Sequence, residues 1–361
     1  MTLGTYKKIL DRLPEGVFVF DHKFRVVFTN AAFRRFFSEG NKKKNTLSGV
    51  LGCNETGKCG DNAACQYCAF LRVIRAAVEE NVEKTETVHT TVKRAGHTDK
   101  ISVRIRILPL DGKGKLYVGL TDGTYQSEME REMLSAQRMQ QRLLPAGKSM
   151  GGIPYSYMYI PCLGVGGDLP DVYELNGQTY GVLADVSGKG VSAGMLSAFV
   201  KAGFDRKQPD LAVALSRLNA KFNELNQDER SYITVAAVRI DEREKILRYA
   251  VAGHNAPILL KTAYGINEIE APAPPISNWM ADFTYQERQL GFEKGDLLVL
   301  LTDGVTECMN AKGELFGIER AESVLSQSHN AEDFIGKLKS ALTVFSGGKF
   351  SDDITAIAFD L

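Results

Sequence analysis

The spacing of apolar and polar positions changes period repeatedly along the chain. In "GVFVFDHKFRVVFTNAAFRRFF", starting at Gly16, two runs rich in β-branched and aromatic residues flank the polar turn Asp21 to Lys23. An amphipathic helix is expected to follow from near Asn30. Three more strand-like runs come in "TVHTTVKRAGHTDKISVRIRILPL" and "GKLYVGLTDGT", with Gly96 and Gly112 in the intervening turns. From Gln126 to Pro145 the period becomes helical. Met129, Met133, Ala136, Met139 or Gln140, and Leu143 fall near heptad spacing, and Pro145 ends the run. After Gly152, strand and helix patterns alternate to the C-terminus.

That last stretch repeats one feature. "GVGGDLPDVYEL", "GVLADVSGKG", "DLLVLLTDGVTEC" and "FSDDITAIAFDL" each set an Asp at the edge of an apolar run. One such Asp is an ordinary strand-end residue. Four beside glycines, which let backbone approach a ligand, point to a common site. Clustered carboxylates repel strongly in a low dielectric, so they require protons or cations. Oxygen ligands without His or Cys favour Mg²⁺ and Mn²⁺ over Zn²⁺. Two such ions can activate a water and clamp a phosphoryl oxygen, which is the chemistry of phosphate ester hydrolysis.

Composition narrows the setting. A chain of 361 residues suggests two domains, and 44% hydrophobic with 24% charged residues is typical of a globular protein. Acidic and basic residues balance at 44 each, so no basic face for nucleic acid is expected. The N-terminus carries charges where a secretory signal needs an apolar core, and "LLVLL" at Leu297 is far shorter than a membrane span. A cytoplasmic protein without membrane partners is the expectation.

Two resemblances follow from these stretches. Strand, strand, short helices and three strands, with "NAAF" opening the first helix, resemble a PAS sensor domain. In the second half, "QQRLLP", "VGGD", "DVSGKG", "AGHNAP", "GDLLVLLTDGVTE", "ELFG" and "DDIT" occur in that order between Gln137 and Leu361. They resemble the bacterial regulatory branch of the metal-dependent PPM (type 2C) protein Ser/Thr phosphatases, the branch of the stage II sporulation and sigma-factor regulators. The implied fold class is α+β: a PAS-like domain over 1–122, a coiled-coil-like helical linker over 123–145, and an αββα sandwich of two antiparallel sheets over 146–361. The implied function is a sensor-regulated phosphatase acting on a phosphoprotein, by analogy an anti-sigma factor antagonist, within a homodimer joined through the linker. A non-catalytic interaction module and a small-phosphoester hydrolase are the alternatives.

The same resemblance implies residue roles. Asp185 would bridge two Mn²⁺ or Mg²⁺ ions, and the Val186 carbonyl would bind one of them. Asp303 and Asp352 would hold the shared metal, with Asp353 as the rival of Asp352. Asp168 would serve the second metal, with Asp171 as a helper. Where the branch usually has aromatic residues after "GGD", this chain has Leu169 and Pro170. His254 is read as fixing a strand end, and Lys189 as a solvated lysine that can meet a phosphate. Separately, Cys53, Cys59, Cys65 and Cys68 form a C-x5-C-x5-C-x2-C array, a candidate Zn²⁺ or iron-sulfur site inside the sensor domain.

Overall fold

A computed structural model of the protein describes residues 8–21, 25–36, 68–94, 97–109, 116–122, 124–225, 227–228 and 230–361. The chain divides into two compact units, Met1–Glu132 and Met133–Leu361. Their boundary therefore falls inside the helix Thr124–Gln141 rather than at either of its ends.

Within the first unit, strands β1 (Gly16–Phe20), β2 (Val26–Thr29), β3 (Lys84–Arg94), β4 (His97–Pro109) and β5 (Leu116–Asp122) form one antiparallel sheet in the order β2-β1-β5-β4-β3. Helices α1 (Ala31–Phe36) and α2 (Ala69–Glu80) accompany it. Phe18, Phe20, Phe33, Ile74, Ile105 and Ile107 form its core. The Asn of "NAAF" explains the sharp entry into α1. Buried Asn30 accepts from the Phe33 and Val17 backbone N–H groups and donates to the Leu10 and Glu15 carbonyls, so one side chain caps the helix and pins it to β1. Three of the four clustered cysteines lie outside the described residues. The fourth, Cys68, precedes α2 as a partly buried free thiol.

The second unit begins within α3 (Thr124–Gln141) and is a four-layer sandwich. The strands that matter for the site are β8 (Leu169–Leu175), β9 (Gln178–Val186), β10 (Ile233–Asp241), β15 (Leu297–Leu301) and β16 (Ile354–Asp360). With β6 (Ser149–Met150), β7 (Ile153–Ile160), β11 (Ile246–Ala252), β12 (Ile258–Thr262), β13 (Gly265–Ile269) and β14 (Arg288–Gly291), one sheet runs β14-β11-β10-β9-β8 and the other β13-β12-β15-β16-β7-β6. Leu183, Val238, Leu298, Ile357 and Phe359 fill the space between the sheets. Helices α4 (Val191–Gly203) and α5 (Leu211–Glu224) cover the first sheet. Helices α7 (Gly317–Ser326) and α8 (Ala331–Ser346) cover the second. Every central strand is apolar on both faces because each faces a helix layer and the opposite sheet. Among the described residues, no helix is long and apolar enough to cross a membrane.

Candidate active site

Register brings the acids together. In the antiparallel pair β8 and β9, Leu169 lies opposite Ala184, which puts Asp168 beside Asp185 where both strands reach the sheet edge. Thr234 on β10 flanks Asp185 from the other side. In the second sheet Leu301 lies opposite Ala356, so Asp303 leaves β15 just where Asp352 and Asp353 lead into β16. A four-residue helix, α6 (Asp303–Thr306), begins at Asp303 itself. A methyl group at Gly304 would collide with the Asp353 carbonyl oxygen, so glycine is what lets the two segments touch.

Two threonines tie the sheets at this end. Thr302 Oγ1 donates to Asp168 Oδ2 at 2.9 Å, and Thr355 Oγ1 donates to the same oxygen at 2.5 Å. Both sit beside the acids in "TDG" and "DDIT", a sequence signal that reading the acids alone overlooks. Asp168 is only 1% exposed. Burial pushes its carboxyl up to about 7 against the pull of the Thr355 hydroxyl. Burial, then the charges of Asp168 and Asp303, push Asp185 up to about 10. Like charges in a dry place hold a proton unless a cation replaces it.

Adjacent Asp352 and Asp353 have different surroundings. Asp353 is buried and accepts the Cys162 N–H at 2.8 Å and the Gly167 N–H at 2.7 Å, so both its oxygens hold the loop from Cys162 to Asp168. Asp352 is half-exposed and pairs with Lys189 at 2.9 Å. Asp171 stands apart from the cluster, because Lys201 and Arg206 hold its two oxygens. His254 Nε2–H donates to Leu301 O at 2.7 Å, and burial lowers its pKa, so it braces the strand that delivers Asp303. Leu169, buried at 1%, fills the position after "GGD" without disturbing the pairing of β8.

The donors suit a hard divalent cation. Asp168, Asp185, Asp303, Asp352 and the Val186 carbonyl offer oxygen donors only, and two of the acids are raised by burial in a way that positive charge relieves. A Cβ at Gly167 would come within 2.7 Å of Val186 O, so glycine keeps that carbonyl clear. Among the described residues, no three His, Cys, Asp or Glu side chains already converge as a ready-made ion cage. Lys189 at present neutralises Asp352. Replacing Lys189 with Met is expected to lower the Mn²⁺ concentration giving half-maximal activation by up to about fivefold, the range of an exposed pair worth at most about 1 kcal/mol. A metal titration of activity checks this.

One contributor comes from outside the strands. Gln140, near the end of α3 and 5% exposed, donates from Nε2 to Gly166 O at 2.6 Å and to Ser197 Oγ at 3.0 Å. Its Oε1 accepts from Tyr159 OH at 2.8 Å and from Gly166 N–H at 3.1 Å. The sequence marks "QQRLLP" as a motif but gives no role for this glutamine.

The sandwich with acids at one shared sheet edge defines the C-terminal unit as a PP2C-type phosphatase domain. It superposes on the SiaA-PP2C domain of Pseudomonas aeruginosa with a TM-score of 0.59 at 19% identity, covering 66% of this chain and 99% of that one. The chain belongs to the Stage II sporulation protein E (SpoIIE) family, whose sequence profile matches residues 176–361. Among curated relatives, Phosphoserine phosphatase RsbU of Bacillus subtilis (strain 168) is 26% identical over 244 residues, 64% of this chain and 70% of that protein. Protein IcfG of Synechocystis sp. is 30% identical over 121 residues, 33% of this chain and 19% of that protein.

Proposed function

We propose that the protein is a metal-dependent phosphoprotein phosphatase that removes phosphate from serine or threonine, with Asp168, Asp185, Asp303 and Asp352 as metal ligands and Val186 lending its carbonyl. The observation that carries this reading is that Asp168 and Asp185 from one sheet lie close to Asp303 and Asp352 from the other: Thr302 and Thr355 of the second sheet donate to Asp168, and the charges of Asp303 and Asp352 act on Asp185. Two Mn²⁺ or Mg²⁺ ions bound there would supply charge stabilisation at the phosphoryl group and a water acidic enough to attack near neutral pH. The chain's own part is preorganisation. Thr302 and Thr355 orient Asp168, Asp353 holds the Gly167 backbone, and His254 fixes the end of β15. Asp353 is assigned to this positioning role rather than to a metal, because its two oxygens already take backbone N–H groups.

The first unit is read as a PAS-like sensor, supported by its order of two strands, helices and three strands. A signal there would reach the site along α3, whose residue Gln140 grips Gly166. Pairing of two α3 helices in a homodimer, and an anti-sigma factor antagonist as the substrate, belong to the same proposal. RsbU, a phosphoserine phosphatase, supports the phosphoprotein class. Bound Zn²⁺ or iron at Cys53, Cys59, Cys65 and Cys68 is tested by metal analysis of anaerobically purified protein; a stable metal-free sample rejects it.

The first experiment compares hydrolysis of an aryl phosphate and of phosphoserine peptides with Mn²⁺ and with a chelator. Turnover of both that is lost on chelation is the expected result. Turnover surviving the chelator would overturn the metal assignment, and turnover of the small ester alone would move the activity away from phosphoproteins.

A further inference from the structure

Beside the acids lies a cavity of about 600 Å³ that the hydrolytic reading leaves unused. Its lining includes Thr234, His254, Ala256 and Pro275, together with the half-buried ring of Tyr232 and the exposed ring of Trp279. Trp279 is 56% exposed and its ring centroid is 5.9 Å from that of Tyr232. Large apolar side chains left open next to a reaction centre usually meet a ligand.

Register fixes how far the cavity is from the chemistry. Val186 pairs with Ile233, and Ile233 in turn exchanges two backbone hydrogen bonds with Ile276, each 2.9 Å. Adjacent strands are about 4.8 Å apart, so the strap bearing Pro275 and Ile276 runs about 10 Å from the strand end that holds Asp185. An extended peptide advances about 3.3 Å per residue. A residue three positions from a phosphoresidue held at the acids therefore lies about 10 Å away, and one two positions away, at about 6.6 Å, comes within reach of the cavity through the length of its side chain.

The cavity is built in advance and carries little charge. Gly253 N–H donates to Ala273 O at 3.0 Å, and a methyl at Gly253 would come within 2.6 Å of Pro275, so the strap is packed directly on the sheet end. His254, hydrogen-bonded to Leu301 O at 2.7 Å, keeps the opposite wall attached to the strand leading to Asp303. Among the described residues, Glu270 is the sole acid or base with a full charge along the lining. A second phosphate is thus disfavoured here, and an uncharged apolar group fits.

Resting on the phosphatase reading, we propose that this cavity is a specificity subsite that receives an apolar side chain two or three residues from the phosphoserine or phosphothreonine of the protein substrate. Tyr232 and Trp279 clasp that side chain. The subsite acts on recognition and leaves the chemistry at the acids untouched.

The test uses the full-length protein with Mn²⁺ and phosphoserine peptides that differ only in Leu or Ser at each position within three residues of the phosphate. Leu is expected to raise kcat/KM by about tenfold or more at one position two or three residues away. Trp279→Ala and Tyr232→Ala are expected to erase that preference while hydrolysing an aryl phosphate at a rate within about twofold of the unsubstituted protein. Absence of any Leu preference, or a preference that survives both substitutions, overturns the subsite. Failure of the unsubstituted protein to hydrolyse any substrate overturns the phosphatase reading beneath it.

Discussion

Asparagine in place of Asp185 is expected to reduce metal-dependent turnover at least about 10³-fold, a loss of about 4 kcal/mol in transition-state stabilisation, while making the metal-free protein more stable. The two effects have one cause. Asp185 and Asp168 face each other across a strand pair and are drawn out of water, so without a cation the folded protein keeps a proton that the unfolded chain releases. Stability follows the difference in bound protons. Because both carboxyls are raised above their unfolded range, metal-free stability is greatest at low pH on this account, and falls as pH rises from about 4 towards 7 at about 1.4 kcal/mol per pH unit for each proton involved. The amide of Asn removes one charge and can donate to Asp168. A gain of about 1 to 2 kcal/mol, or about 3 to 6 °C in Tm, is expected in chelator at pH 7.5. Mn²⁺ should raise the Tm of the unsubstituted protein and do little for the variant. Thermal melts with and without metal, beside turnover, check both halves. An Asp185→Asn protein that keeps its activity would reject the site assignment.

Gln140 offers the second large effect, about 10- to 100-fold in kcat for Gln140→Ala, the range found when a partner that orients a metal ligand is removed. Its amide satisfies both backbone groups of Gly166, two residues before Asp168, and also Ser197 on α4. Without it the buried Gly166 carbonyl loses its side-chain donor, at about 1 to 3 kcal/mol, the Gly166 N–H keeps only the Tyr159 hydroxyl, and the loop relaxes to recover a partner through water. Gln140→Glu distinguishes positioning from packing. It keeps the volume but loses both donors and puts a charge near Asp353, so activity should fall as far as with Ala. Activity of the Glu variant close to that of the native protein would reduce Gln140 to a packing residue. The Mn²⁺ needed for half-maximal activity should rise in both variants, a change that a remote structural defect does not produce.

Such a coupling gives physical content to a sensor-effector arrangement. The helix that carries Gln140 contains the boundary between the two units, and its far end belongs to the first. On the proposed reading, a shift of the helix by a fraction of an ångström would lengthen the hydrogen bonds that hold Gly166, and Asp168, two residues on, would move with the loop.

How much of this was written in the order of residues differs from part to part. Apolar runs ending in Asp, and the motifs from "QQRLLP" to "DDIT", determined the strands, the αββα class and the acids, because a strand buried on both faces must be apolar and its polar end must lie at the edge of the sheet. The helical run before Pro145 was equally legible, although its helix ends at Gln141; the turns expected at Gly96 and Gly112 lie outside the described residues. Partners far apart in the chain were not. Which of two adjacent acids faces outward was decided by Asp353 taking the N–H groups of Cys162 and Gly167, nearly two hundred residues away. Asp171, at a spacing that suggested a ligand, was drawn off by Lys201 and Arg206 on the neighbouring helix and the turn after it. Thr302, Thr355 and Gln140 converge on one loop only because two sheets and a helix end at the same place, and Trp279 meets Tyr232 only because the strap crosses the end of β10. Sequence determines what each segment buries; the packing of segments against one another decides which polar groups find each other, because hydrogen bonds and charges act over a few ångströms irrespective of distance along the chain.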